Sequence, residues 1–228
     1  MNIAIIPARG GSKRIPMKNI RNFSGNPIIS YSIREAKKSK LFDHVIVSTD
    51  NKKIQEVAEK YGAICPFIRP KKLSDDLTKL NQVIVHTLRQ FEKIYAKPKN
   101  FCCIYATSPL VSYFDIKKSY FFLKKNYDNT DMVLSTCKFT YPVQRAFRIK
   151  KNGNLQMFQK KYLNKRSQDL EDAYHDAAHF FWGKTQTYLA KKNSNLKILP
   201  YLLPRHKVQD IDTYEDWKHA EMIFKLYK

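Results

Sequence analysis

No apolar run in these 228 residues approaches the roughly 18 that a membrane-spanning helix needs. The amino terminus has neither the basic flank nor the longer apolar core of a secretory leader. A protein without a membrane partner, staying where it is made, is therefore expected. Cysteine is scarce: Cys65, Cys102, Cys103 and Cys137 form no C-x-x-C pair, which argues against a thiolate metal centre. Two of them sit in the apolar run "FCCIY", where small buried hydrophobes in a reducing cytoplasm are the expectation. No two histidines have metal-ligand spacing. Acidic residues are few, 20 against 42 lysines and arginines, for a formal charge of +22. Such an excess points to nucleic acid, an anionic surface or acidic small molecules. The basic residues are dispersed along the whole chain, and no known nucleic-acid-binding motif is present. A basic nucleic-acid-binding protein is thus the alternative from a different class, and no nucleic-acid partner is expected.

What is present is repeated alternation. At 43% hydrophobic residues the chain can bury a full core. Over the first 140 residues, short apolar runs alternate with amphipathic stretches, the pattern of βα units feeding a mostly parallel sheet. "NIAII", "HVIVSTD", "FCCIY" and "DMVLSTC" read as strands. "NPIISYSIREAKKSK" reads as a helix with Pro27 at its first position, and "NKKIQEVAEKYG" as one whose face is Ile54, Val57, Ala58 and Tyr61, stopped by Gly62. "TKLNQVIVHTLRQFEKIYA" repeats that spacing, and "FDIKKSYFFLKKNY" reads as a helix opened by Asp115. Near 139–170 the pattern breaks into short runs around an "NGN" turn, a hairpin-like excursion. "AAHFFW", a short helix near 185–192, "LKILPYLL" and a final helix "TYEDWKHAEMIFKLYK" complete the chain. The expected fold is α/β: one domain over 1–228, a Rossmann-like sheet flanked by helices.

The stretch "PARGGSKRIPMKN" leaves the carboxyl end of the first strand, the edge at which open α/β sheets bind ligands. Gly10 and Gly11 permit a tight turn with N–H groups presented to an anion. Arg9, Lys13, Arg14 and Lys18 add charge, and Ser12 adds a hydroxyl. Neither G-x-x-x-x-G-K-[ST] nor G-x-G-x-x-G fits, so composition supports an anion cradle and a plain basic turn about equally. Farther on, Asp210 and Asp212 in "QDIDT" are one residue apart, placing both carboxylates on one side of an extended segment. Such a pair suits Mg²⁺, a hard cation often shared with phosphates. Asp212 with Glu215 is also a capping-box spacing for the last helix.

"IPARGGSKRIPMKN" resembles the signature of the cytidylyltransferases that activate nonulosonic, sialic-acid-like sugars. "LFDHVIVSTD", "GAICPFIRPKKLSDD", "YATSPL" and "VQDIDTYED" follow in family order, so the resemblance covers nearly the whole chain. Asn19 matches the nine-carbon branch; relatives acting on an eight-carbon ulosonate carry proline there. "YPVQRAF", "RSQDLEDAYHDA" and "FFW" are most similar to the subgroup acting on pseudaminic acid, although Ala178 and His179 stand where that subgroup has glycine and glutamine. Legionaminic and N-acetylneuraminic acid are the alternative sugars.

The resemblance implies a nucleotide-diphospho-sugar transferase fold and transfer of CMP from CTP to the anomeric hydroxyl, in the building of surface glycans or glycosylated flagellin. It implies a CTP site of Ala8, Arg9, Gly10, Gly11, Ser12, Lys18, Asn19 and Arg69, with Arg9, Lys18, Asp210 and Asp212 catalytic and Mg²⁺ on Asp210 and Asp212. For the sugar it implies Tyr105, Thr107, Ser108, Arg145, Arg166, Gln168, His175 and Asp176. It also implies that 139–170 is a dimerisation element lending residues to the neighbouring site of a homodimer.

Overall fold

The computed structural model describes residues 1–191 and 195–227. β1 (Asn2–Pro7) is followed by a loop, a 3-10 turn at Lys18–Ile20, and a two-strand ribbon of β2 (Asn22–Phe23) and β3 (Asn26–Pro27). α1 (Ile28–Ser39), β4 (His44–Ser48), α2 (Lys52–Lys60), α3 (Leu80–Ile94), β5 (Asn100–Ile104), α4 (Tyr113–Lys125) and β6 (Met132–Lys138) come next. The excursion carries the hairpin β7 (Phe147–Ile149) and β8 (Leu155–Met157). The chain closes with β9 (Tyr174–Lys184), α5 (Thr185–Lys191), β10 (Ile198–Leu202) and α6 (Tyr214–Tyr227). The outermost residues expected in the last two helices, 192 and 228, lie outside the described residues.

Local chemistry sets the helix ends. The Asn51 side chain accepts from the N–H groups of Lys53 and Ile54 and caps α2, while Gly62 turns the chain away at φ +85°, a conformation glycine adopts without steric cost. Pro27 precedes α1 instead of occupying its first position. α4 begins two residues before the expected Asp115, because Ser112 Oγ accepts from Phe114 N–H at 3.2 Å and Glu35 accepts from Tyr113 N–H at 2.7 Å.

The six main strands form one sheet in the order β10-β6-β9-β5-β1-β4. All neighbours are parallel except β9, which runs antiparallel between β5 and β6. Alternation divides the core into two layers. Ala4, Ile6, Cys102 and Ile104 face α1, α2 and α4, whereas Ile3, Ile5, Phe101 and Cys103 face α3 and α5. Both faces are therefore covered, as a parallel sheet requires. A third cluster joins Ile15, Phe23, Ile28 and Tyr31 to Ile211, Trp217 and Ala220. It packs the last helix and the segment before it against the loop after β1, bringing together residues about two hundred positions apart.

β9 has no side chain at Gly183 because Phe101 on β5 occupies that space: a Cβ there would lie 2.6 Å from the Phe101 ring. Gly183→Ala should lower stability by about 1–3 kcal/mol through overpacking, read as the shift of the urea midpoint at constant slope.

Candidate active site

Four hydrogen bonds set the loop after β1. Ala8 N–H continues the ladder to Ser48 O at 2.9 Å. Gly10 N–H donates to Asp50 Oδ1 at 2.9 Å, Asn19 Nδ2 donates to Arg9 O at 2.8 Å, and Ser12 N–H donates to Gly10 O at 3.0 Å. This changes the expected role of Gly10, whose N–H is spent on a carboxylate of the protein itself. Its missing side chain matters more, since a Cβ would lie 2.8 Å from Asn51 Nδ2 and 3.0 Å from Asn51 Cβ, and Asn51 is pinned as the α2 cap. Gly11 faces open space. Met17 holds a left-handed turn at φ 51°, an uncommon conformation for a side chain of this size, and it aims Lys18 back toward the cavity.

That cavity, about 580 Å³, opens at the carboxyl edge of the sheet. Of the expected nucleotide residues, Arg9, Ser12, Lys18, Asn19 and Arg69 line it, together with Tyr105, Thr107 and Asp212. Two carboxylates bind the four cations of the loop. Asp76 pairs with Arg9 at 2.8 Å and Lys13 at 2.6 Å; Asp212 pairs with Arg14 at 2.8 Å and Lys18 at 3.3 Å. Arg9 also donates to Asp75 O at 2.7 Å, and Lys18 to Ile211 O at 2.7 Å. Arg69 is no exposed loop residue. It is 3% exposed, its Nε donates to Ser74 Oγ at 3.0 Å, and Asp50 stands 3.8 Å from its guanidinium. Burial lowers its pKa, and Asp50 works against that. Asp50, Asp75 and Asp76 carried no motif on their own; the runs "STD" and "LSDD" were their only signal.

Ile211 is fully buried against the third core cluster, so its neighbours Asp210 and Asp212 turn outward together. The helix cap falls elsewhere than expected. Thr213 Oγ1 accepts from Asp216 N–H at 3.2 Å, and Asp216 Oδ2 accepts from Thr213 N–H at 2.8 Å, a reciprocal box that leaves the Asp212 carboxylate out of capping. Burial raises the pKa of Asp210, and the like charge of Asp212 adds to the shift while Lys18 opposes it. Such crowding of negative charge is what a divalent cation relieves. The donor set of two adjacent carboxylates fits Mg²⁺ completed by phosphate and water oxygens.

The residues expected at the sugar divide into three groups. Tyr105 and Thr107, just past β5, line the cavity. Because β9 is antiparallel, its early residues reach the same edge: Asp176 pairs across from Thr136, and Tyr105 OH donates to Asp176 Oδ2 at 3.5 Å. Burial raises the pKa of both Tyr105 and Asp176. The His175 ring nitrogen meets the Asp176 carbonyl at 2.8 Å. Ser108 is 1% exposed and donates to Ala178 O at 2.7 Å, so its hydroxyl supports β9 and does not line the cavity. Arg145, Arg166 and Gln168 lie in the excursion: Arg145 bonds Ser167 at 3.2 Å, Arg166 pairs with Asp169 at 2.7 Å, and Gln168 lines a separate hollow of about 380 Å³. Within one chain these three are not brought to the main cavity.

A family model described as "Cytidylyltransferase" matches residues 3–227. The pseudaminic acid cytidylyltransferase of Campylobacter jejuni subsp. jejuni serotype O:2 is 42% identical, over 99% of this chain and 97% of its own. The N-acylneuraminate cytidylyltransferase of Escherichia coli O18:K1:H7 is 30% identical over 96% of this chain and 51% of its longer one. Among solved structures, a CMP:2-keto-3-deoxy-manno-octonic acid synthetase complexed with CTP shares the fold at a TM-score of 0.73 and 13% identity, covering 100% of this chain and 99% of that one.

The two glycines of the loop should behave differently. Gly10→Ala should weaken CTP binding by roughly tenfold or more, while Gly11→Ala should stay within about twofold. Calorimetric titration of both variants against wild type reads this directly.

Proposed function

The chain belongs to the cytidylyltransferase family, and on that premise we propose that it transfers CMP from CTP to the anomeric hydroxyl of pseudaminic acid, releasing pyrophosphate. The choice of sugar over legionaminic or N-acetylneuraminic acid is supported by the 42% identity to a pseudaminic acid cytidylyltransferase over 97% of that relative's length. The observation that carries the site is the juxtaposition of Arg9, Lys13, Arg14 and Lys18 with Asp212 around one cavity at the sheet's carboxyl edge.

The reaction is an in-line displacement in which negative charge moves onto the departing pyrophosphate, so catalysis rests on position and charge. The four cations grip the triphosphate as Asp76 and Asp212 release them. Arg69, held by Ser74 and Asp50, stands beside the nucleotide, and Asn19 fixes the Arg9 carbonyl that shapes the turn. Mg²⁺ on Asp210 and Asp212 supplies neutralisation of phosphate charge when bound. Tyr105, Thr107, His175 and Asp176 receive the sugar from the β5 and β9 side.

The working form is a homodimer in the cytoplasm. The excursion exposes Tyr141, Phe147, Ile149, Leu155, Phe158 and Leu163, apolar side chains that a partner surface would cover, and a second copy covering them would carry Arg145, Arg166 and Gln168 to the neighbouring sugar pocket. No helix among the described residues is long and apolar enough to cross a membrane.

With Mg²⁺, CTP and a panel of nonulosonic acids, the protein should form CMP-pseudaminic acid and pyrophosphate. Lys18→Ala and Asp210→Ala should each lower kcat by about a hundredfold or more with unchanged circular dichroism, and chelation should abolish turnover. Full activity in both variants overturns the assignment. Light scattering after gel filtration should give twice the 26.9 kDa chain mass, and Ile149→Asp with Leu155→Asp should return a folded monomer with a raised sugar KM.

A further inference from the structure

The ladder between β6 and β9 breaks beside the cavity. Leu134 pairs with Phe181, but Thr136 pairs with Asp176, where an unbroken register would set His179 opposite Thr136. The single residue Ser135 thus faces Ala177, Ala178, His179 and Phe180, and because the slip is odd it exchanges which residues point inward. His179 and Ala177 are turned into the protein and Asp176 is delivered to the edge.

Such a break strands backbone groups, and two buried serines take up two of them. Ser135 Oγ accepts from Phe180 N–H at 3.1 Å, and Ser108 Oγ donates to Ala178 O at 2.7 Å; the two residues are 0% and 1% exposed. Tyr105 N–H donates to His179 O at 2.9 Å. Ala178 N–H goes to Asp176 Oδ1 at 2.8 Å, and Ala178 is driven to φ 51°, a region that residues other than glycine rarely enter. A strained residue held by wholly buried hydroxyls at a pocket edge marks a built feature.

On the reading of the chain as a nonulosonate transferase, the geometry points to Ser108 and Ser135 as positioning residues that lock this break and thereby fix the Asp176 carboxylate as a hydrogen-bond acceptor for the sugar. With Ala178 N–H on one oxygen and Tyr105 OH on the other, the carboxylate cannot swing freely, and each oxygen keeps a further lone pair. Its charge sets the pose. A hydroxyl or amide N–H of the sugar is accepted there, and the sugar's own carboxylate is repelled toward the basic residues. Ser108 and Ser135 touch neither substrate; they act through Asp176.

Steady-state kinetics on the full chain test this, varying the sugar acid at saturating CTP and then the reverse. Ser108→Ala and Ser135→Ala should each raise the KM for the sugar acid by about tenfold, leaving the KM for CTP within about twofold. In an Asp176→Ala background, adding Ser108→Ala should change the sugar KM by less than about twofold, since the group it positions is gone. Melting curves check each fold; where Ser108→Ala fails to fold, Ser108→Cys and Ser135→Ala give the same readings. An active wild type whose serine variants keep the sugar KM, lose both substrates in parallel, or add fully to Asp176→Ala overturns this inference alone. A wild type forming no CMP-sugar from any acid overturns the underlying reading with it.

Discussion

The Gly10 N–H bond to Asp50, 2.9 Å long, joins the loop after β1 to the end of β4, and the geometry of the site descends from it. With Gly10 seated against Asn51, the chain must leave the sheet at one angle, so Arg9 and Lys13 reach Asp76 on one side while Arg14 and Lys18 reach Asp212 on the other. The same Asp50 faces the buried guanidinium of Arg69. One carboxylate thus holds a turn and steadies a charge. It does so at the edge of a parallel sheet, where β1, β4 and β5 all end and where loops from distant parts of the chain converge.

Much of the fold was legible because its cause is local. Apolar runs such as "NIAII" and "FCCIY" alternate with helical faces such as Ile54, Val57, Ala58 and Tyr61, and each pattern follows from the geometry of a single element. The direction of β9 was not legible. Its residues alternate alike in either sense, and only the neighbours β5 and β6 decide it. The break at Ala178 is hidden for the same reason, since it depends on Ser108 and Ser135 standing opposite. The cap of the last helix falls one residue later than the Asp212 and Glu215 spacing suggests: Thr213 and Asp216 have the same spacing, and the hydroxyl of Thr213 wins.

At the site, the gathering of Arg9, Ser12, Lys18 and Asn19 on one cavity is foreshadowed by a motif whose members are close in sequence, while Arg69 and Asp212 join it from far along the chain. The partners Asp50 and Asp76 are not foreshadowed, because Asp50 meets Gly10 only once β1 and β4 lie side by side, and Asp76 meets Arg9 and Lys13 only once the loop before α3 folds over the cavity. The excursion was visible as a loss of pattern, and the antiparallel pairing of β7 with β8 follows from its "NGN" turn. The high net charge has a partial account: several cations concentrate at the cavity, while most lysines lie dispersed over the surface.

On the proposed reading, the pairing of Arg9, Lys13, Arg14 and Lys18 with Asp76 or Asp212 makes nucleotide capture a swap of anions instead of an addition. What the pocket gains from a triphosphate is the difference between two sets of ion pairs, which keeps the ground state from becoming a trap. When pyrophosphate departs, the displaced carboxylates are waiting to close over the same cations, so the force that readies the cradle for one nucleotide also helps expel what is left of the last.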